Sequence, residues 1–339
     1  MKILILGGTL FLGRHIVQAA LDRQHEVTLF NRGHTCPELF PDAEKLRGDR
    51  AGDLGALRRR TWDAVIDTCG YVPRLVHASV AVLKDRVAHY TFVSSISVYA
   101  DRRQPGLTEA APVETLADPT TEEVGPQTYG ALKALCEQAV NAVMPGRTLI
   151  VRPGLLVGPH DPTGRFTYWV QRMAAGGEVL AAGPPERPVQ CIDARDAATW
   201  MVQMAEARAT GVFHVTGPDV RLSMGEFLVA CQQALQQDVR VTWVPEAFLF
   251  AHGVRPWTEL PLWVPPHASG VFTIDISKAQ RAGLAFRPLT DTIHETFQWA
   301  AQRKPEASAP TRLASGESTQ AGLAQARETE LLQNWHRQQ

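Results

Sequence analysis

The chain has no surplus of charge of either sign: 34 basic residues stand against 35 acidic ones, a formal net charge of −1. No single-signed field exists to draw in nucleic acid or an anionic membrane surface, and neither is expected as a partner. No apolar run approaches the roughly 18 residues that a transmembrane helix needs. The N-terminus carries one charge, Lys2, and only Ile3 to Leu6 before glycines begin, too little for the apolar region of a secretory signal. Cysteine is sparse. Cys36, Cys69, Cys136, Cys191 and Cys231 are odd in number, widely spaced and form no Cys-x-x-Cys, so neither a disulfide framework nor a zinc site is indicated and a reducing, cytoplasmic setting fits best. The 11 histidines form no His-Glu-x-x-His or comparable ligand spacing, and no metal is expected.

What is present is a chain of 339 residues, 45% hydrophobic and 20% charged, enough for one large domain or two modest ones. Ile3 to Leu6 is an unbroken apolar run suited to a buried parallel strand, and Gly7-Gly8-Thr9 breaks it. Ile16, Val17, Ala20 and Leu21 then recur at helical spacing, and His25 to Phe30 supplies a second strand, completing a βαβ unit. The alternation continues with strands at Trp62–Asp67, His89–Ser94 and Arg147–Val151 and helices at Leu75–Leu83 and Gln127–Val143. It predicts an α/β fold of Rossmann type over residues 1–151, a doubly wound parallel sheet with helices on both faces.

After Arg152 the rhythm loosens and Pro and Gly become dense, at Pro153, Gly154, Gly158, Pro159 and Pro162 and again at Gly183, Pro184 and Pro185. Residues 152–302 read as a smaller C-terminal substrate-binding region. Helical patterns at Ala194–Ala207 and Met224–Leu235 and short strands at Gly211–Val215 and Val239–Val244 return some of it to the sheet. Residues 303–339 read as a tail: Lys304 to Gln320 is rich in Ala, Ser, Pro and Thr, as in a flexible linker. Leu331, Leu332 and Trp335 share one face of a terminal helix that docks on the body or on a partner subunit.

The segment Gly7-Gly8-Thr9-Leu10-Phe11-Leu12-Gly13 stands where a phosphate loop stands, between first strand and first helix. Glycines there admit the backbone to a pyrophosphate, and the free N–H groups of the helix N-terminus stabilise its charge. A glycine-rich turn by itself also suits an ordinary strand-to-helix connection; the strands on either side of it favour the dinucleotide. At the end of the second strand, where a fold that holds NAD places a carboxylate for the ribose 2′-hydroxyl, the run is Leu29-Phe30-Asn31-Arg32-Gly33. Asn31 removes the repulsion a 2′-phosphate would meet, and Arg32 and Arg14 offer planar donors for it; the alternative makes both arginines solvated surface charges. Asp49 is a candidate acceptor for the adenine amine.

Tyr129-Gly130-Ala131-Leu132-Lys133 is the sharpest signal. Residues four apart share a helix face, which sets an ammonium beside a phenol and favours the phenolate. A tyrosine with an ordinary pKa of about 10 then works as acid or base nearer neutrality. With the tyrosines and lysines present, about 0.09 such pairs are expected by chance. Ser94-Ser95-Ile96-Ser97-Val98-Tyr99 follows an apolar strand, and hydroxyls at that edge of a parallel sheet face the crevice where ligands bind.

Taken together, these motifs resemble the extended short-chain dehydrogenase/reductases, the NAD(P)-dependent epimerase/dehydratase family, over roughly residues 1–300, and within it a bacterial subgroup with a Gly-Gly-Thr-x-Phe-Leu-Gly-Arg loop. Tyr129 and Lys133 match the family's catalytic pair and Ser95 its catalytic serine. Arg152-Pro153 with Val157-Gly158-Pro159 is similar to the segment beside the nicotinamide. Cys191 to Asp196 and Phe213-His214-Val215 resemble later signatures. The resemblance implies that Tyr129 exchanges a proton with a substrate hydroxyl or carbonyl while hydride passes to or from the nicotinamide, that Lys133 holds the ribose and lowers the tyrosine pKa, and that Ser95 hydrogen-bonds the reacting oxygen. The expected cofactor-binding set is Gly7, Thr9, Leu10, Phe11, Leu12, Gly13, Arg14, Asn31, Arg32, Asp49, Cys69, Tyr129, Lys133 and Pro153, with NADP(H) preferred over NAD(H).

The chain departs from the family in two places. Leu10 replaces the middle glycine, and Val189 and Gln190 stand where nucleotide-sugar epimerases often carry a diphosphate-binding arginine, with Arg187 displaced. The expected substrate is therefore a sugar-like or other hydroxy or keto small molecule, held between the sheet edge and walls drawn from Ala100–Pro126, Tyr168, Trp169 and Trp257–Trp263, with UDP- and dTDP-sugars recognised less well than by typical epimerases. A homodimer is among the expected assemblies. Epimerase, dehydratase and reductase chemistry all start from this set, and a non-catalytic NADP-binding regulatory or RNA-associated protein is the alternative.

Overall fold

The pleat of Lys2–Leu6 (β1) sends Ile3 and Ile5 into the core on one side of a sheet and Leu4 and Leu6 into the core on the other. Both faces are covered, so no polar residue alternates with them. A computed structural model describes residues 1–264, 266–302 and 321–339. In it β1 is joined by Glu26–Asn31 (β2), Glu44–Arg47 (β3), Trp62–Asp67 (β4), Val87–Val93 (β5) and Thr148–Pro153 (β6). Leu155–Val157 (β7), Gly177–Ala182 (β8), Pro188–Val189 (β9) and Cys191–Asp193 (β10) intervene before the sheet's last strand, Gly211–Val215 (β11). The seven strands lie in the order β11-β6-β5-β4-β1-β2-β3, every neighbour parallel. The order reverses between β1 and β4, which opens a crevice at their C-terminal ends.

Phe11–Asp22 (α1) covers one face of the sheet, and Pro73–Leu83 (α2) and Tyr129–Val143 (α3) cover the other. Beyond β7, Arg165–Ala174 (α4) precedes β8, and Ala194–Glu206 (α5) returns to lie beside α1 through Ala197 and Met201. The expected doubly wound sheet is thus formed, and the strand expected at Gly211–Val215 extends it by pairing with β6.

A second core lies outside the sheet. Leu222–Ser223 (β12) pairs with β9, and Val239–Val244 (β13) pairs with β8. Around them pack α4, Met224–Leu235 (α6), Glu246–Ala251 (α7) and Leu289–Ala301 (α9), while the short Ser277–Arg281 (α8) packs on the first core. Phe166, Trp169, Val170 and Met173 recur at helical spacing on α4 and are all buried. α6 begins with a reciprocal capping box between Ser223 and Glu226.

The terminal helix Gln325–His336 (α10) docks on this core. Leu331 and Leu332 are 0% and 7% exposed, and Trp335 meets the Phe248 ring edge-on at 5.2 Å. Buried Glu328 accepts from the Leu180 N–H at 2.9 Å and pairs with Arg172 at 2.6 Å. The segment Lys304 to Gln320, read as a linker, lies outside the described residues. Among the described residues no helix is long and apolar enough to cross a membrane.

Because Leu331 is fully enclosed, Leu331→Ala should destabilise the protein by about 2–5 kcal/mol, the transfer term plus the cavity left behind. Val229→Ala, at a half-exposed position, should change stability by no more than about 0.5 kcal/mol. Urea unfolding of both variants gives the comparison; equal effects would mean that α10 is not part of the cooperative core.

Candidate active site

The glycine loop links β1 to α1. Gly7 has φ +104°, and a Cβ there would stand 2.6 Å from Thr68 Oγ1. A Cβ on Gly13 would stand 3.0 Å from the Gly8 backbone, so only glycine lets the helix come down on the turn. No side chain caps α1, which leaves its first N–H groups available to an anion. Thr9 is buried, and Leu12 turns its side chain into the core; what Leu12 can offer a ligand is its backbone. Leu10, in the place of the middle glycine, has extended backbone at φ −119° and ψ 140° and needs no glycine. Its side chain is 55% exposed, and the positive φ falls on Phe11 instead.

Asn31 ends β2 and is largely committed to structure: its amide donates to Gly7 O at 2.9 Å, and its oxygen accepts from Gly33 N at 3.0 Å and from the Arg47 guanidinium. The parallel register sets Asn31 beside Arg47 of β3. Arg47 thus reaches the position that sequence reading gave to Arg32 and Arg14 alone. It went unnoticed because β3, Glu-Lys-Leu-Arg, is a short, charge-rich edge strand with little apolar signal. Arg32 is exposed on the same turn. Arg14 lies 3.0 Å from His160 Nδ1, in the segment after β7. Asp49 caps its own turn by accepting from Ala51 N at 2.9 Å.

At the C-terminal ends of β4 and β5 the chain converges on Lys133. Its Nζ donates to Gly70 O at 2.7 Å and to Val93 O at 2.5 Å. It also sits 4.4 Å from the Phe92 ring centroid and 5.3 Å from that of Tyr71. Only 2% of the residue is exposed, and burial pulls its pKa down to about 8. Tyr129, the first residue of α3, faces Tyr71 with ring centroids 6.4 Å apart. Glu114, from the loop between β5 and α3, accepts from the Ala131 N–H in the first turn of that helix and pairs with Arg102 at 3.2 Å. Ser95 caps the short helical turn Ile96–Val98 by accepting from Ser97 N, which leaves its hydroxyl proton free to donate. Cys69 flanks Gly7 and Asp67, and burial pushes its thiol up to about 11, so it stays neutral.

A buried polar chain runs beneath these groups. Ser94 donates to Glu137 at 2.5 Å, Glu137 holds Arg152 through two hydrogen bonds at 3.0 and 2.7 Å, and Arg152 donates to the Tyr99 hydroxyl at 2.8 Å. Tyr99 in turn meets His214 of β11. Arg152 is therefore spent in the core, whereas Pro153 ends β6. Beyond β8, Arg187 is tied to Glu246 at 2.8 Å and to Val264 O at 2.8 Å, and Gln190 exchanges two hydrogen bonds with the Ile274 backbone. Arg165 stacks 4.5 Å over Trp257. Trp169 and Trp263 do not line a cleft: they are 1% and 3% exposed, packed in the second core with their indole N–H groups on Pro261 O and Glu246. Among the described residues no group of His, Cys, Asp and Glu could hold a metal ion.

Residues 59–215 match the family described as the NAD dependent epimerase/dehydratase family. A curated relative, the 2-alkyl-3-oxoalkanoate reductase of Stenotrophomonas maltophilia, is 33% identical over 175 residues, which are 48% of this chain and 52% of that protein. The chain thus matches about half the length of that relative. Among solved structures, the UDP-glucuronic acid 4-epimerase of Bacillus cereus in complex with NAD is 17% identical with a TM-score of 0.66, covering 89% of this chain and 97% of that one. The UDP-glucose 4-epimerase of Thermotoga maritima with UDP-glucose is 16% identical with a TM-score of 0.63, covering 89% and 99%. At such identities the structures speak for the fold alone. The matched segment holds Ser95, Tyr129 and Lys133: residues 59–215 of the chain are similar to the NAD dependent epimerase/dehydratase family.

Proposed function

We propose that the chain is an NAD(P)-dependent oxidoreductase or epimerase that prefers NADP(H) and acts at a hydroxyl- or carbonyl-bearing carbon of a sugar-like or other hydroxy or keto small molecule. The observation that carries this reading is Lys133: an ammonium buried beyond the C-terminal ends of β4 and β5, on the helix that begins with Tyr129 and close to Ser95. A buried cation is costly, and one carried on the helix that begins with Tyr129 can act on the phenol as well as on a ribose.

The residues present fit a dinucleotide. The uncapped start of α1 and the side-chain-free approach at Gly7 and Gly13 suit a pyrophosphate, and Lys133 has one N–H beyond the two given to Gly70 and Val93 for a ribose hydroxyl. The nicotinamide supplies or accepts the hydride when bound. The chain's part is to orient and to move a proton: Ser95 donates to the substrate oxygen, Tyr129 gives or takes that oxygen's proton, and Lys133 stabilises the phenolate.

Arg47 at the end of β3 hydrogen-bonds Asn31 at the end of β2, Arg32 follows Asn31, and residue 31 is not a carboxylate that would repel a 2′-phosphate; this supports the NADP preference. Arg187, held by Glu246, is not poised for a diphosphate, which supports weaker recognition of nucleotide sugars.

Titration calorimetry should find NADP(H) bound at least about tenfold more tightly than NAD(H), a difference of about 1.4 kcal/mol. Arg47→Ala should remove most of that difference while leaving NAD(H) affinity unchanged; equal affinities in the parent protein would refute the preference. Tyr129→Phe, which keeps the ring and loses the ionisable hydroxyl, should still bind NADP(H) but lose about 10²–10⁴ in kcat. NADPH consumption against a panel of keto compounds, including 2-alkyl-3-oxoalkanoates, measures it. Normal turnover by that variant would turn the assignment towards a different acid.

A further inference from the structure

Tyr71 belongs to no motif that the sequence offered, and it touches both members of the Tyr129–Lys133 pair. It follows Cys69 and Gly70 on the loop leaving β4, the same loop whose Gly70 carbonyl receives the Lys133 ammonium. Its ring centroid is 5.3 Å from Lys133 Nζ and 6.4 Å from the Tyr129 ring. We infer that Tyr71 is a positioning residue whose aromatic face holds the Lys133 ammonium beside the Tyr129 phenol and shuts water away from the pair. This rests on the reading of Tyr129 as the acid/base.

The surroundings explain why a π face is needed there. Every carboxylate that acts on the ammonium is already engaged: Asp67 with Arg50 and the Tyr90 hydroxyl, and Glu137 with Arg152 and Ser94. Burial pushes the Cys69 and Cys136 thiols up to about 11 and about 12, so neither supplies a thiolate. Glu114, at the first turn of α3, is engaged by the Ala131 N–H and Arg102. The positive charge is thus left to two carbonyls and to the faces of Phe92 and Tyr71, an arrangement that keeps it charged without neutralising it. An ammonium with no salt-bridge partner among the described residues acts on a neighbouring phenol more strongly when no water screens it.

Burial holds the Tyr71 phenol well above its ordinary range, and the nearby Tyr129 adds to this. Tyr71 therefore stays neutral when Tyr129 ionises, so the two phenols do not compete for one proton. The ring, rather than the hydroxyl, is the working part.

The test needs no substrate. Ultraviolet difference titration of the full chain follows tyrosinate formation among its five tyrosines, and Tyr129→Phe identifies the step that belongs to Tyr129. In the parent protein that step should lie at least one pH unit below the remaining tyrosines. Tyr71→Phe should leave it in place. Tyr71→Ala should raise it by about one unit, a tenfold loss of phenolate at a fixed pH. Tyr71→Leu, which keeps the space filled and lacks the π face, should raise it as well and serves if the alanine variant unfolds. A Tyr129 step unmoved in folded Tyr71→Ala or Tyr71→Leu overturns the inference while the acid/base reading survives. Displacement in Tyr71→Phe shows that the hydroxyl acts and overturns it equally. Absence of an early step in the parent protein brings down the acid/base reading itself, and this inference with it.

Discussion

A lysine ammonium buried at the C-terminal edge of a parallel sheet is the constraint on which the rest of the candidate site depends. Lys133 must keep its charge with 2% of the residue exposed, and desolvation works against that. Two backbone carbonyls at the ends of β4 and β5 and two aromatic faces hold it. To bring those groups together the strands must end at one level, the 69–71 loop must turn back over α3, and α3 must begin at Tyr129. The parallel order with its reversal at β1 and β4 does this and sets the glycine loop alongside.

The buried chain Ser94, Glu137, Arg152, Tyr99 and His214 secures the same level from below, by linking α3, β6 and β11 across the sheet. Removal of one charge from the Glu137–Arg152 pair would leave the other buried without a partner. Arg152 is thus part of the frame under the site, although in sequence it stands next to Pro153 at the start of the segment assigned to the nicotinamide side. The second core and α10 lie beyond β7, and there Gln190 and Arg187 are bound to Ile274 and Glu246.

Much of this was legible in the sequence, for physical reasons that differ from one element to the next. The strands β1, β4 and β11 are unbroken or nearly unbroken apolar runs, and α3 and α6 carry clear periodic faces. The Tyr129–Lys133 spacing needs only helix geometry to be read. β3 was not legible, because an edge strand of Glu44, Lys45, Leu46 and Arg47 looks like a solvated turn, and with it Arg47 was missed. Tyr71 was missed because its part comes from contacts across 58 and 62 residues of chain, with Tyr129 and Lys133. Trp169 and Trp263 misled in the other direction: they were expected as walls of the cleft beside the sheet edge, while α4 and the loop before residue 264 place them in a second core.

The candidate site turns on the state of one amine. Lysine selectively labelled at Cε lets nuclear magnetic resonance follow each of the six lysines of the chain through a pH titration, with Lys133→Arg assigning the resonance. Burial should make Lys133 titrate at about 8, well below the ordinary lysine value of about 10.4. A Lys133 resonance that titrates at the ordinary lysine value would mean a solvated ammonium, and the site would then lack the buried cation from which its chemistry is derived.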